Sequence, residues 1–232
     1  MKAFIVRTLL IIVSVLIIIQ LWIFSSLVYW RTNPVENTMF MRWTYLSDFK
    51  PIQHEWQAYD DISDHFKHAI IAAEDARFID HHGFDWTGIE DALQKNMKKD
   101  KVVAGGSTIS QQVAKNVFLW QGRSWLRKGL EVYFTFVIEK VWGKQRILEM
   151  YLNTSEMGIG VFGIEAASEY YFNKPAKDLT KNEAARIAAA LPLPRKYNVN
   201  PPSSFISRRA SHIERQMRNI QGSADLEKVL GE

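Results

Sequence analysis

The longest hydrophobic segment of the chain lies near its N-terminus. Residues 8–30 form 23 consecutive positions without a formally charged side chain, and they are rich in Ile, Leu and Val. As a helix rising 1.5 Å per residue they would extend about 34 Å, enough to cross a bilayer. A cleaved signal peptide has a shorter apolar core and a small-residue cleavage site. The pattern predicts one uncleaved transmembrane span, and Lys2 and Arg7 favour a cytoplasmic N-terminus over residues 1–7.

Beyond this span, hydrophobic positions follow helical spacing. Residues 31–51 are aromatic and mixed, and their prolines at both ends predict an extended linker or a segment lying along the membrane. Ser63 is a suitable N-cap for a helix whose apolar positions include Phe66 and Ile70. If this helix continues to a stop at Gly83, Glu74, Phe78 and His81 fall on one stripe.

Further helices are predicted along the rest of the chain. Glycines at 105 and 106 before Ser-Thr predict a turn that opens a helix, and Thr180-x-x-Glu183 is a capping box. No segment shows strong strand periodicity, so the predicted fold class is mainly α. The globular domain is expected over residues 52–221, with a C-terminal tail over 222–232. The additional predicted helices cover residues 87–98, 124–140, 144–152, 164–172, 184–191 and 204–221.

The composition of the chain excludes only a few kinds of site and gives little evidence for a particular function. A chain of 232 residues suits one domain plus an anchor. The formal charge is +4, and beyond residue 30 there are 27 basic against 25 acidic side chains, which gives no argument for nucleic acid. The chain has no cysteine, which excludes disulfides and cysteine-based zinc sites.

Candidate chemistry is concentrated between Glu74 and Gly83. An apolar helical run there leads to adjacent carboxylates and then to a histidine pair. A carboxylate near a helix C-terminus faces the negative end of the dipole, which raises its pKa and suits a general base. The alternative is a solvated helix end with ordinary surface charges.

Six short motifs then follow one another along the chain. They are Glu74-Asp75-x-x-Phe78-x-x-His81-x-Gly83, Gly105 to Asn116, Arg127-Lys128-x-x-Glu131, Lys144 to Asn153, Gly163 to Phe172, and Glu183 to Pro192. In this order and spacing they resemble the peptidoglycan glycosyltransferases that polymerise lipid II. That family includes class A penicillin-binding proteins and monofunctional enzymes. The resemblance covers about residues 52 to 217.

The resemblance implies a lysozyme-like, two-lobed fold with an active cleft between the lobes. The smaller lobe would lie at the membrane and include residues 98–103. Because the chain contains no transpeptidase part, the resemblance implies the monofunctional, single-span type. The segment around 154–160 varies within the family, so no catalytic role is expected for Glu156.

The resemblance also implies the reaction. The C4 hydroxyl of a GlcNAc on lipid II attacks C1 of the MurNAc at the lipid-linked end of the growing chain. The configuration inverts and undecaprenyl diphosphate leaves. Glu74 would be the base that takes the hydroxyl proton, and Glu131 matches the second essential carboxylate of the family. Glycosidases also use two carboxylates with separate roles. Here the leaving group is a diphosphate, which needs nearby cations more than it needs a strong acid.

Several side chains are candidates for binding this substrate. Lys115, Arg127 and Lys128 suit a diphosphate. Glu131 either orients Arg127 or helps to hold Mg or Mn on the diphosphate, and the sequence leaves both roles open. No organic cofactor is expected. Candidate hydrogen-bonding residues, whose types also favour helix starts for local reasons, are Ser107, Thr108, Gln111, Gln112 and Asn116.

Asp75, Phe78 and His81 are expected to support the catalytic residues without contacting the substrate. His81 either orients Glu74 or is a structural histidine. Phe78 is expected to pack, and Asp75 to cap or to pair with a basic residue.

The expected partners are lipid II, the growing glycan strand and membrane lipids, with cell-wall or division assembly proteins as further candidates. The expected location is the bacterial inner membrane, with the catalytic domain on the periplasmic face. Two alternatives stay open: a lysozyme-like lytic enzyme, which would not need the cations, and a non-catalytic assembly scaffold. Apolar residues that would let the small lobe enter the membrane interface are Val102, Val103, Phe118, Leu119, Trp120, Trp125 and Leu126.

Overall fold

The computed structural model describes residues 1–99, 106–122, 124–220 and 222–231, with backbone only for Lys95, Asn96, Lys98 and Lys99. The predicted small-lobe segment 98–103 therefore lies entirely outside the described side chains. The chain divides into two units, residues 1–34 and 35–232. The first unit is helix α1, Lys2–Tyr29, with a mean hydropathy of 2.7 in its most apolar window. By length and composition α1 can cross a membrane.

The second unit is mainly helical, as predicted. Two single-turn 3-10 helices, Tyr59–Asp61 and Ala176–Asp178, accompany its α-helices. The described α-helices are α2 Met39–Asp48, α3 Asp64–Glu74, α4 Trp86–Lys99, α5 Ile109–Phe118, α6 Trp125–Val141, α7 Lys144–Thr154, α8 Ile164–Phe172, α9 Lys181–Ala190, α10 Ser204–Ile220 and α11 Ala224–Leu230.

The core of this unit lies around α3 and α5. Helix α3 packs against α9 and α10, and α5 packs against α6 and α7. Their apolar spacing explains the packing, because Phe66 and Ile70 of α3 and Ile109 and Val113 of α5 are fully buried. Each such side chain stabilises the fold by about 1.5–3 kcal/mol. The last residue of α3 and the first turn of α5 are thereby held by rigid elements.

A small sheet was not predicted. It consists of β1 Gln53–His54, β2 Glu156–Gly158 and β3 Val161–Phe162, in the order β1-β3-β2. The pairing of β1 with β3 is parallel and that of β2 with β3 is antiparallel. Strands of two or three residues are too short to show an alternating pattern, so no periodic signal marks them in the sequence.

Helix α2 lies within the segment that the sequence predicted as a linker. Thr38 caps it by accepting a hydrogen bond from the backbone N–H of Met41 at 3.1 Å. Met41 and Thr44 are buried, and Gln121 donates a hydrogen bond to the Thr44 hydroxyl at 2.6 Å. The helix packs against α5. An extended linker is therefore wrong for residues 39–48, and the expected tail also contains a helix, α11.

Candidate active site

Helix α3 ends at Glu74 and does not continue to Gly83. At Asp75 the backbone is extended, with φ −161°. The Asp75 carboxylate accepts hydrogen bonds from the Ile109 backbone N–H at 3.0 Å and from His81 Nε2 at 3.0 and 3.1 Å. The stripe predicted from Glu74 to His81 is therefore wrong, because tertiary hydrogen bonds to Asp75 stop the helix. His81 bonds to Asp75, and this pair joins the end of α3 to the start of α5.

The start of α5 is fixed by a capping box. Thr108 accepts from the Gln111 backbone N–H at 3.2 Å, and Gln111 Oε1 accepts from the Thr108 N–H at 3.0 Å. The Thr108 hydroxyl also donates to the Gly83 carbonyl at 2.7 Å. Gly83 has φ +89°, and a Cβ there would lie 2.8 Å from Thr135 Cγ2. The Thr108 hydroxyl and Gln111 Oε1, which belong to residues predicted to bind substrate, thus make structural hydrogen bonds in the capping box.

Gln112 connects Glu74 to the core. Its Nε2 donates to Glu74 Oε2 at 2.9 Å, and its Oε1 accepts from the Tyr151 hydroxyl at 3.4 Å. Tyr151 is almost fully buried, and burial raises the pKa of its hydroxyl well above the ordinary value of 10. The phenol therefore stays a donor and holds the Gln112 amide with its N–H toward Glu74. Tyr151 lies within one of the sequence motifs, but nothing in the motif indicates this role.

Burial raises the pKa of the Glu74 carboxyl above its usual value, with a smaller contribution from Asp75. The hydrogen bond from Gln112 and the charges of Arg209 and Lys115 oppose this shift. The direction agrees with that expected from the helix C-terminus, but the main cause is desolvation. Arg209 is on α10, about 130 residues from Glu74 in sequence, and only the packing of α10 on α3 brings the two together.

A second carboxylate, Glu131, is buried among cations on α6. One of its oxygens accepts from Arg127 Nη1 at 2.9 Å, and Lys128 Nζ bonds to the other. Lys115 is partly buried on α5, its Nζ 5.5 Å from the centre of the Phe40 ring. Burial lowers the pKa of Lys115, although the nearby Glu131 charge raises it.

Three cavities place these groups along one groove. The Arg77 cavity contains Glu74, Arg77 and Ser107. The cation cavity contains Ser107, Gln111, Gln112, Lys115, Arg127, Lys128 and Glu131. The Phe40 cavity contains Phe40, Gln112, Lys115, Asn116, Tyr151 and Glu156 among its lining residues. Because Ser107 lines the first two cavities and Gln112 and Lys115 line the last two, the cavities adjoin. Glu74 and the predicted cations thus belong to one groove.

The remaining predicted residues have mixed surroundings. Phe78 is fully buried, and Lys144 Nζ lies 4.6 Å from its ring centre, which fits the predicted packing role. Asn116 is buried at the wall of the Phe40 cavity.

Within the described part of the chain, no group of three or more His, Cys, Asp or Glu side chains is placed to hold a metal ion. Both oxygens of Glu131 pair with cations, which is the arrangement expected if Glu131 orients Arg127.

The sequence as a whole was compared with known proteins. A family model described as Transglycosylase matches residues 42–218. A protein of Acinetobacter baumannii (strain ACICU), named biosynthetic peptidoglycan transglycosylase, is 55% identical over 222 residues, covering 95% of this chain and 99% of its own. Proteins with the same name from Acinetobacter baylyi and Azoarcus sp. are 58% and 48% identical, covering 86% and 90% of this chain and 90% and 91% of their own.

Proposed function

The chain belongs to the transglycosylase family, and on that premise we propose that it is a biosynthetic peptidoglycan transglycosylase that polymerises lipid II into glycan strands. The observation that carries this proposal is the shared groove, in which a partly buried carboxylate, Glu74, adjoins a cavity lined by Lys115, Arg127 and Lys128. A base and a set of cations are what glycosyl transfer from a lipid diphosphate requires.

Glu74 is the general base in this proposal. It takes the proton from the C4 hydroxyl of the acceptor GlcNAc as the oxygen attacks the anomeric carbon of the donor. Its raised pKa brings its basicity closer to the pH of the reaction, and the Gln112 hydrogen bond holds the carboxylate in place. General-base catalysis of this kind typically contributes about 10²–10⁴-fold.

The cations bind the departing undecaprenyl diphosphate. Arg127 donates hydrogen bonds from its guanidinium group to phosphate oxygens, and Lys128 and Lys115 add point charges. Glu131 keeps Arg127 and Lys128 in position through its two ion pairs. In an inverting displacement the attacking and leaving oxygens lie on opposite faces of the sugar. The base and the cations therefore have to flank the reacting carbon, as the adjoining cavities allow.

A lipid-linked substrate fits two further features. Helix α1 is long and apolar enough for a single membrane anchor, which supports the proposed location in the bacterial inner membrane. Lys2 and Arg7, which precede the apolar segment, favour a cytoplasmic N-terminus and therefore a periplasmic second unit. On α6, Trp125 and Leu126 are 93% and 70% exposed, and Phe136 is 57% exposed. This apolar face suits contact with lipid. Leu119, in contrast, is buried and belongs to the core, and Val102 and Val103 lie outside the described residues.

The test is a polymerisation assay on purified full-length protein with lipid II as the sole substrate. Elongated glycan strands are expected, and adding a chelator reports whether a divalent cation on the diphosphate contributes. Release of soluble muropeptides from finished sacculi, with no polymer from lipid II, would instead identify a lytic enzyme. Complementation of cells by the Glu74→Gln, Glu131→Gln double variant would identify a scaffold.

A further inference from the structure

The Arg77 cavity contains the proposed base, Glu74, but the proposed mechanism gives Arg77 itself no role. It is lined by the end of α3, the start of α4 and the turn before α5, and it contains both Glu74 and Ser107. The three cations of the cation cavity are not among its described lining residues. Its own cation is Arg77, three residues after Glu74. A molecule in this cavity would contact the Glu74 carboxylate without contacting those three cations.

Arg77 is held in a defined orientation by Asp85. Its Nε and Nη2 donate to Asp85 Oδ2 at 3.2 and 3.0 Å, and Nη2 lies 2.9 Å from Oδ1. The Arg77 side chain is nevertheless 41% exposed. Its Nη1 makes no hydrogen bond to another described residue. This edge of the guanidinium is therefore available to a ligand, and little conformational entropy is lost when it binds.

Asp85 is itself fixed by the start of α4. It accepts from the Gly88 backbone N–H at 2.9 Å and from the Thr87 hydroxyl at 3.1 Å. A Cβ at residue 88 would lie 2.4 Å from Asp85 Oδ2, so glycine permits this close approach. Burial alone would raise the pKa of Asp85, but these hydrogen bonds and Arg77 lower it. The carboxylate stays ionised at neutral pH and keeps Arg77 oriented.

The chemistry of the reaction indicates what occupies this cavity. The acceptor hydroxyl must reach Glu74, and the donor diphosphate must reach the cations, so the acceptor enters from the side of the Arg77 cavity. The acceptor is also a lipid diphosphate, and its stem peptide carries carboxylates. We propose that Arg77, positioned by Asp85, binds an anionic group of the acceptor lipid II. This inference rests on the proposed function.

A two-substrate assay with full-length protein tests this proposal. A lipid-linked tetrasaccharide serves as donor at saturating concentration, and lipid II is varied as acceptor. For Arg77→Ala we expect the acceptor KM to rise about 10- to 100-fold, because a charge-assisted hydrogen bond to the substrate is lost. The kcat and the donor KM should stay within about threefold of wild type. Arg77→Lys should recover part of the loss, since lysine restores the positive charge but not the planar guanidinium group.

Arg146→Ala is the matched control. Arg146 also pairs with a carboxylate, Glu149, at 2.6 Å, but it is not among the residues that line the three cavities. Its acceptor KM should match that of wild type. The melting temperature of each variant identifies any loss that comes from misfolding.

Two acceptors distinguish the source of the anion. Lipid II without its stem peptide still carries the diphosphate. If Arg77 binds the diphosphate, the ratio of variant to wild-type KM stays the same with this acceptor. If it binds a peptide carboxylate, the ratio falls to about one. An unchanged acceptor KM in folded Arg77→Ala, or an equal loss for donor and acceptor, would overturn the proposal. Wild-type protein that makes no polymer would instead refute the proposed function.

Discussion

Two effects act in opposite directions on the charge of Glu74, the proposed general base. A general base must be ionised, whereas the partly buried position of Glu74 disfavours its charge and raises its pKa. Arg209, Lys115 and the Gln112 hydrogen bond compensate in part. These neighbours set the pH below which the base is lost.

The pH profile should therefore respond to Arg209. Because the rate needs ionised Glu74, it falls as the pH drops through the Glu74 pKa, which lies above the ordinary 4.5. Arg209→Gln removes a charge that lowers this pKa, so the acid limb of kcat/KM should move to higher pH. At about pH 8 the rate should stay close to wild type if Arg209 acts only through Glu74. Its exposed neighbour Arg208 is the control, and Arg208→Gln should leave the acid limb in place.

The burial of Glu74 should also make the stability of the protein depend on pH. A raised carboxyl pKa means that the native state binds the proton more tightly than the unfolded state. The native state thus loses stability as the pH rises from 4.5 through the folded pKa. Glu74→Gln removes this cost. The variant should melt at a higher temperature than wild type at neutral pH and at the same temperature below about pH 4. A lower melting temperature at neutral pH would show that burial does not disfavour the charge.

At this scale the sequence predicted the charged residues that line the groove, but not the residues that support them. Glu74, Lys115, Arg127, Lys128 and Glu131 were all predicted, and the described structure brings them to one groove. Tyr151, Arg209 and Asp85 were missed as contributors. Their roles depend on hydroxyl, guanidinium and carboxylate positions that only tertiary packing sets, and sequence spacing carries no signal for that.

At the scale of elements, the groove is built from helix ends. The last residue of α3 is Glu74, the proposed base, and α5 carries Gln112 and Lys115 in the turns that follow its capping box. Asp75 joins the two ends through Ile109 and His81. Hydrophobic periodicity predicted most of the helices well, but it extended α3 too far, because hydrogen bonds across the fold stop that helix at Asp75.

Two capping boxes offer a matched comparison. Thr108 caps α5 in the groove, and Thr180 caps α9 with Glu183 at a distance from it. Replacing either threonine with alanine should lower the free energy of unfolding by about 0.5–2 kcal/mol. Thr108→Ala should also lower kcat/KM at least tenfold, because the start of α5 positions Gln112 and Lys115. Thr180→Ala should leave kcat/KM unchanged, and similar activity losses in both would refute a positional role for the α5 cap.

At the scale of the whole molecule, the mainly α, lysozyme-like fold class and the family were predicted correctly from the motifs, and the family match confirms them. The short strands and α2 were missed. Strands of two or three residues are too short to show a periodic pattern, and the aromatic, mixed composition of residues 31–51 between two prolines favoured a linker over a helix. The separation into an apolar helix and a globular unit was visible in the hydrophobic pattern.

The anchor should matter only when the substrate is in a membrane. A variant consisting of residues 35–232 contains the complete second unit. In detergent it should polymerise lipid II within about threefold of the full-length rate. With lipid II in vesicles its rate should fall by about 10²-fold or more, because tethering no longer raises the effective concentration. Equal rates in vesicles would show that α1 does not serve as a functional anchor.

The proposed mechanism depends most on the base, and the rate of polymerisation by full-length Glu74→Gln measures it directly. Glu156→Gln is the companion variant, since Glu156 also lines the groove and has a pKa raised by burial. The mechanism predicts that Glu74→Gln lowers the rate by about 10²-fold or more while its circular dichroism is unchanged. Glu156→Gln should stay within about tenfold of wild type. Near-normal polymerisation by a folded Glu74→Gln protein would contradict it.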